Sequence, residues 1–191
     1  MDFCPLFLFV LIGLLACNPP SKLAESGNYD QAINTAISKL RGKKKKKAEH
    51  VAALERAFEK ATERDMREAE SLKKEGHEEN WVKVYKLYLN IKTRQRKIDP
   101  LLPLYDENGR KAEFRFVRTE ELERESKSKV VEFYYNHAQD LLTEAEGGNR
   151  FAAREAYDEL NKIDQYYKDY RDKEELKEIA KELGTTHVLF K

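Results

Sequence analysis

From Ala138 to Leu160 the chain reads AQDLLTEAEGGNRFAAREAYDEL, and how this stretch divides decides the fold. Leu141, Leu142 and Ala145 close one apolar stripe at helical spacing, and Gly147-Gly148 then interrupts it, since paired glycines favour a turn over continued helix. Asn149 stands where a side-chain oxygen can cap a new helix, and the stripe resumes at Phe151, Ala152, Ala156, Tyr157, Leu160, Ile163 and Tyr167. The pattern predicts two helices joined by a tight turn, with the small Ala156 at their contact.

The same grammar extends in both directions. Upstream, Thr119 followed by Glu120 and Glu121 predicts a helix start, with acids at the positive end of the dipole, and its stripe runs through Val130, Phe133, Tyr134 and His137. Downstream, Asp172 with Glu175 forms a capping-box pattern. Leu176, Ile179, Ala180 and Leu183 follow, and Gly184 closes that last helix.

Nearer the start, Tyr29, Ala32, Ile33, Ala36, Ile37 and Leu40 share one helical face after the Gly27-Asn28 turn. A longer pattern carries Val51, Leu54, Phe58, Ala61, Met66, Ala69 and Leu72 up to Gly76. A third has Trp81, Val84, Tyr85, Tyr88 and Ile91 on one stripe, with Val82 and Leu89 beside it, and Trp81 is expected in the core. Asp99-Pro100-Leu101-Leu102-Pro103 ends the helical run, because proline lacks a donor and disfavours helix in the residue before it. Asn108-Gly109 is a hairpin-type turn, and Ala112, Phe114 and Phe116 alternate with charged residues, which predicts a short β-hairpin over about 101–117. Asp106, Asn108 and Gly109 also hint at a calcium loop, but the other ligands such a loop needs are missing, so the turn reading is preferred.

The stretches Ser26–Leu40, Gly76–Ile91 and Ala138–Leu160 resemble the helix-turn-helix units of tetratricopeptide repeats, with Gly27, Tyr29, Ala32 and Ile33 at the turn, aromatic and small-residue places. The glycine turns at 27, 76 and 147 lie further apart than the period of about 34 residues in that family, so the resemblance is to a degenerate array with lengthened helices. It implies a mainly α fold of antiparallel helix pairs over residues 25–184, carrying the inserted hairpin. TTHVLFK, from Thr185 to Lys191, reads as the start of a strand without a partner, and suggests a shortened member of a longer family.

The N-terminal segment is different in kind. FLFVLIGLLA, Phe7 to Ala16, is uncharged and too short for a transmembrane helix of about 20 residues. It reads as a signal peptide over residues 1–16. No Lys or Arg precedes the apolar run, which is read as a start codon assigned a few residues late. Leu14-Leu15-Ala16-Cys17 resembles the lipobox of bacterial lipoproteins. That resemblance implies cleavage between Ala16 and Cys17, a diacylglyceryl thioether on Cys17 and an acylated amino group, with residues 17–24 as anchor and linker. Two or more acyl chains give stable anchoring. Asn18, rather than Asp, implies the outer membrane, facing the periplasm.

Of the 191 residues, 36 are Lys or Arg and 35 are Asp or Glu. So even a balance argues against nucleic acid as a partner. The two cysteines, Cys4 and Cys17, leave none after the proposed anchor, so no disulfide or thiolate metal site is expected there. There is no glycine-rich phosphate loop, nucleophile elbow or zinc-type histidine pair. His137 lies on an apolar stripe and is read as a hydrogen-bonded core histidine. Neither cofactor nor catalysis is expected.

Two surface features stand out. Lys43, Lys44, Lys45, Lys46 and Lys47 form a candidate contact for an anionic surface. The preferred alternative is a solvated loop running into the first turn of the next helix, and nuclear targeting is disfavoured by the signal peptide. Tyr166, Tyr167 and Tyr170 form a candidate partner surface, since tyrosine brings rigid area with a polar tip, although packing is the commoner role. The sequence thus predicts a lipid-anchored helical scaffold for protein or peptide partners. The alternative is a small-molecule or glycan binder, or the remnant of a longer enzyme.

Overall fold

The computed structural model describes residues 19–185. Ala16, Cys17, the signal segment and all but the first residue of the expected terminal strand lie outside them. Within them the fold is mainly helical. The helices are α1 (Pro20–Glu25), α2 (Tyr29–Leu40), α3 (Ala48–Glu75), α4 (Asn80–Ile98), α5 (Thr119–Glu146), α6 (Arg150–Ile163) and α7 (Lys173–Gly184), with a 3-10 turn at Asp99–Leu101. The short α1 occupies most of the expected linker, and Leu23 and Ala24 bury it against α2 and α3.

α3 runs for 28 residues without Gly or Pro, about 42 Å at 1.5 Å per residue. Ala53, Ala57, Ala61 and Ala69 are buried along it, and such small side chains let α2 and α4 approach closely. Gly76 ends α3 with φ 75°, a left-handed conformation that a side chain disfavours. Asn149 caps α6 as expected, accepting from the backbone N–H groups of Phe151 and Ala152, both at 3.2 Å. Such a cap contributes about 1 kcal/mol.

Each helix packs on its neighbours in sequence, and α1 on α3, α2 on α4 and α5 on α7 add next-neighbour contacts. Three hydrophobic clusters follow that order. Ile33, Leu40, Leu54, Phe58 and Ile98 centre the first, Ala69, Val84, Tyr88 and Ile91 the second, and Val131, Tyr135, Leu160 and Ile163 the third. Arg94 of α4 ties three helices together through charge. Its guanidinium donates from Nε to Asp30 Oδ1 (2.6 Å), from Nη2 to Asp30 Oδ2 (3.0 Å) and from Nη1 to Asp65 Oδ2 (2.5 Å). Arg94 and Asp65 are buried, at 2% and 1% exposure.

Several expectations are corrected. No strand forms among the described residues; the hairpin reduces to one antiparallel bridge, Tyr105 to Lys111. The ladder stops after Ala112 N–H donates to Leu104 O (2.8 Å), because in this register the next donor of the first arm is the N–H of Leu102, which is spent on Asp99 O (3.1 Å). Trp81 is half-buried rather than core, with Lys73 Nζ 5.3 Å from its ring centroid. In α5 the buried stripe passes through Val131, Tyr135 and Ala138, leaving Phe133, Tyr134 and His137 half-buried. Asp172 makes no cap hydrogen bond; its Oδ1 accepts from the Tyr135 hydroxyl at 2.6 Å. Residues 43–47 precede α3 and do not form its first turn.

Candidate functional site

The chain between the 3-10 turn and α5 carries no regular structure, so side chains of the helices fix it. Leu104 and Ala112 enter the first core cluster. Between them Asp106 Oδ1 accepts from the backbone N–H of Asn108 (2.9 Å) and Arg110 (3.0 Å), an Asx-type turn that holds the loop tip. Glu55 of α3 accepts from both Nη atoms of Arg110 (3.1 and 2.5 Å) and from Glu113 N–H (2.8 Å). Gln95 of α4 brackets Val117, accepting from its N–H at 2.6 Å and donating to its carbonyl at 3.1 Å.

Between these two clamps the backbone N–H and C=O groups of Phe114, Arg115 and Phe116 make no hydrogen bond among the described residues. Phe114 and Phe116 instead hold the segment through their rings, 5.6 and 5.7 Å from the Phe58 centroid. The result is a segment lying along α3 that is held by side chains rather than by backbone pairing.

A groove of about 440 Å³ separates this segment from α3. Phe58, Thr62, Met66 and Val117 are on its apolar side, and Glu55, Glu59, Glu63, Glu113 and Arg115 form the rest of its lining. Glu55 is committed to Arg110, and Glu63 faces Lys60 (3.1 Å) and Arg67 (3.8 Å). Among the described residues the carboxylates of Glu59 and Glu113 have no ion-pair partner. The Thr62 hydroxyl is buried without a hydrogen-bond partner. Among the described residues five large apolar side chains are exposed, and three of them, Leu102, Tyr105 and Phe116, belong to this connection.

The structure places the sequence-derived candidates elsewhere. Tyr166, Tyr167 and Tyr170 occupy the α6–α7 connection, half-buried against the third cluster. Tyr166 meets Tyr85 (5.4 Å between centroids) and Tyr134 (6.2 Å), while Tyr170 meets Tyr135 (5.6 Å) and Tyr167 (6.4 Å). Lys127 Nζ lies 4.2 Å from the Tyr167 ring centroid, a cation–π contact. Burial raises the phenol pKa values of Tyr85, Tyr134, Tyr135 and Tyr166 above the usual tyrosine value, so these rings keep their protons near neutrality. Buried Lys173 anchors the connection beneath them, donating to Asp164 and to Lys168 O (2.6 Å), and Lys177 adds a bond to Asp164 (2.7 Å). The hydrogen bonds from Lys173 and Lys177 lower the carboxyl pKa of Asp164.

Lys43, Lys44, Lys45 and Lys47 are exposed and Lys46 half-buried in the α2–α3 loop. That loop is tied to the 106–110 turn, because Lys46 O accepts from Glu107 N–H at 2.8 Å. The lysines therefore flank the turn and stay apart from the tyrosines of the α6–α7 connection. His137 does not become a hydrogen-bonded core histidine. Its ring stacks on Phe133, and Nδ1 sits 3.6 Å from Glu159 Oε1 with no hydrogen bond.

The alternation of Ala112, Phe114 and Phe116 predicted a hairpin arm, but no strand forms there among the described residues. No group of three His, Cys, Asp or Glu side chains is placed to hold a metal among the described residues, and no helix there is long and apolar enough to cross a membrane. Comparison with protein-family models, curated protein sequences and solved structures finds no match for this chain.

Proposed function

We propose that this chain is a helical scaffold for protein or peptide partners, degenerate and tetratricopeptide-like in build, held through lipid on Cys17 at the periplasmic face of an outer membrane. The observation that carries the scaffold reading is the serial packing of seven helices onto near neighbours among the described residues. An array of that kind holds its core in successive small clusters and leaves extended faces for partners. The anchor rests on the LLAC stretch from Leu14 to Cys17. Cysteine there supplies the nucleophilic sulfur for thioether formation, and stable attachment follows from more than one acyl chain.

Metabolic labelling with a radioactive fatty acid tests the anchor. The wild-type protein is expected to take up label and fractionate with outer membranes, and Cys17→Ala to lose both. An unlabelled wild type removes the anchor from this account. Proximity labelling from the anchored protein tests the scaffold: specific neighbours are expected, and their absence counts against it.

A further inference from the structure

We propose that the groove between α3 and residues 113–117 is a binding site for a small organic cation, a primary ammonium carried on an apolar body. The inference goes beyond the scaffold reading and does not rest on it. Shape, charge and one buried hydroxyl carry it together.

Glu55, Phe58, Glu59, Thr62, Glu63 and Met66 line the groove from α3, at spacings of three and four that place them on one helical face. That face sorts into two rows of every fourth residue, Glu55, Glu59 and Glu63 beside Phe58, Thr62 and Met66. Together the rows run for about 16 Å at 1.5 Å per residue. Acid therefore lies alongside apolar surface, and Val117 extends the apolar side from the facing segment. The volume of about 440 Å³ falls in the range of roughly 300–1,000 Å³ usual for small-molecule clefts.

Charge selects the ligand. Of the four glutamates in the lining, Glu55 and Glu63 have cations of their own, whereas Glu59 and Glu113 have none among the described residues. Arg115 sets one positive charge against those two carboxylates, so the balance still favours a cation. Thr62 lines the groove from the middle of its row, 8% exposed, with a buried hydroxyl that has no hydrogen-bond partner. A buried polar group left unpaired is costly. Thr62 and Glu59 stand three residues apart and are neighbours on the helix surface, so one ammonium can donate to both while its apolar body lies toward Met66 and Val117. An anionic ligand meets like charge at Glu59 and Glu113, and a neutral one leaves them unanswered.

Met66 lies in the groove, and the other methionine of the chain is Met1, so methyl labelling of methionine places a reporter at the site. The test titrates full-length labelled protein, held in nanodiscs of zwitterionic lipid, with phenylbutylammonium and follows the Met66 methyl resonance. Phenylbutanol, phenylbutyrate and the trimethylammonium form of the cation serve as controls. The primary ammonium is expected to shift the Met66 signal saturably and more weakly as salt rises, with the alcohol and the acid at least about tenfold weaker. Glu59→Gln with Glu113→Gln is expected to cut affinity by about tenfold or more, and Arg115→Gln to raise it severalfold. Thr62→Val is expected to weaken the primary ammonium severalfold and to leave the trimethyl form unchanged, since that form has no N–H to donate. Glu59, Glu113 and Arg115 are exposed, so unchanged melting of their variants separates recognition from folding.

Equal responses to the ammonium, the alcohol and the acid, or full affinity in the double glutamine variant, overturn the proposal. So does a groove that leaves the ammonium unbound yet takes a basic peptide, because its ligand is then a protein segment. Either result leaves the scaffold reading to proximity labelling, which tests it separately.

Discussion

Arg94→Ala is expected to destabilise the helical body by about 3–5 kcal/mol, the range for removing one partner of a buried ion pair. For a chain of this size that lowers the melting midpoint by roughly 10 °C or more. The reason lies in what remains. Asp65 is 1% exposed and faces Arg94 Nη1 at 2.5 Å, so without the guanidinium its carboxylate loses its principal counter-charge inside the protein. Only Arg64, 2.9 Å from its other oxygen and itself part-exposed, remains. Asp30 loses both of its bonds from Arg94 but is largely solvated.

Removing both buried charges, with Arg94→Met and Asp65→Leu together, is expected to recover most of the loss, since apolar replacement of a buried pair is often near neutral. Equal loss in the single and double variants would show that packing, not charge, governs the site. Acid gives a second readout. The hydrogen bond from Arg94 holds the Asp30 carboxyl below its ordinary value of 3.8. A carboxyl lowered on folding contributes stability above its unfolded pKa and loses it as pH falls through the folded value. The wild type therefore sheds this contribution below about pH 4, whereas Arg94→Ala, left with the weaker pull of Arg64 and Lys97, sheds less.

Phe58→Ala is the second large effect, again about 3–5 kcal/mol. Phe58 is 2% exposed at the centre of the first cluster, and its ring is the surface on which Phe114 and Phe116 rest. Besides a lower melting midpoint, the variant is expected to free residues 113–117, seen as faster tryptic cleavage at Arg115 under native conditions. Phe58→Leu keeps most of the volume and is expected to lose under about 1.5 kcal/mol. Unchanged cleavage in Phe58→Ala would mean that the Glu55 and Gln95 clamps alone hold the segment.

The helices were legible because amphipathic periodicity is local information. Ala32, Ile33, Ala36, Ile37 and Leu40 are all buried where their spacing put them, and Asn149 caps α6 through its own side chain. The failures share a non-local cause. Asp172 had the sequence setting of a cap, yet the Tyr135 hydroxyl, 37 residues away, takes its carboxylate. The α5 stripe shifted because that helix answers to both α4 and α6, and apolarity alone does not say which of Phe133, Tyr134 or Tyr135 turns inward.

The connection from 102 to 117 shows the same limit. Period-two alternation predicted a hairpin, but pairing depended on Leu102, whose N–H turns back to Asp99 O, and the segment is held instead by distant Glu55 and Gln95, which take the amides of Glu113 and Val117. The groove arises from that substitution of side chains for a partner strand, so no local motif announces it. The charge trio of Asp30, Asp65 and Arg94 was equally silent, since charged residues in so charged a chain read first as surface.

Amide hydrogen exchange resolved to single residues, on the free full-length protein, tests the central claim that a serial helical body holds the segment 113–117 through side chains and leaves its central amides open. The account predicts strong protection through the interiors of α2 to α6 and for Ala112, whose N–H is bonded to Leu104 O, with rapid exchange at Phe114, Arg115 and Phe116. Protection of those three amides in the free monomer would contradict it, because the segment would then already have a backbone partner.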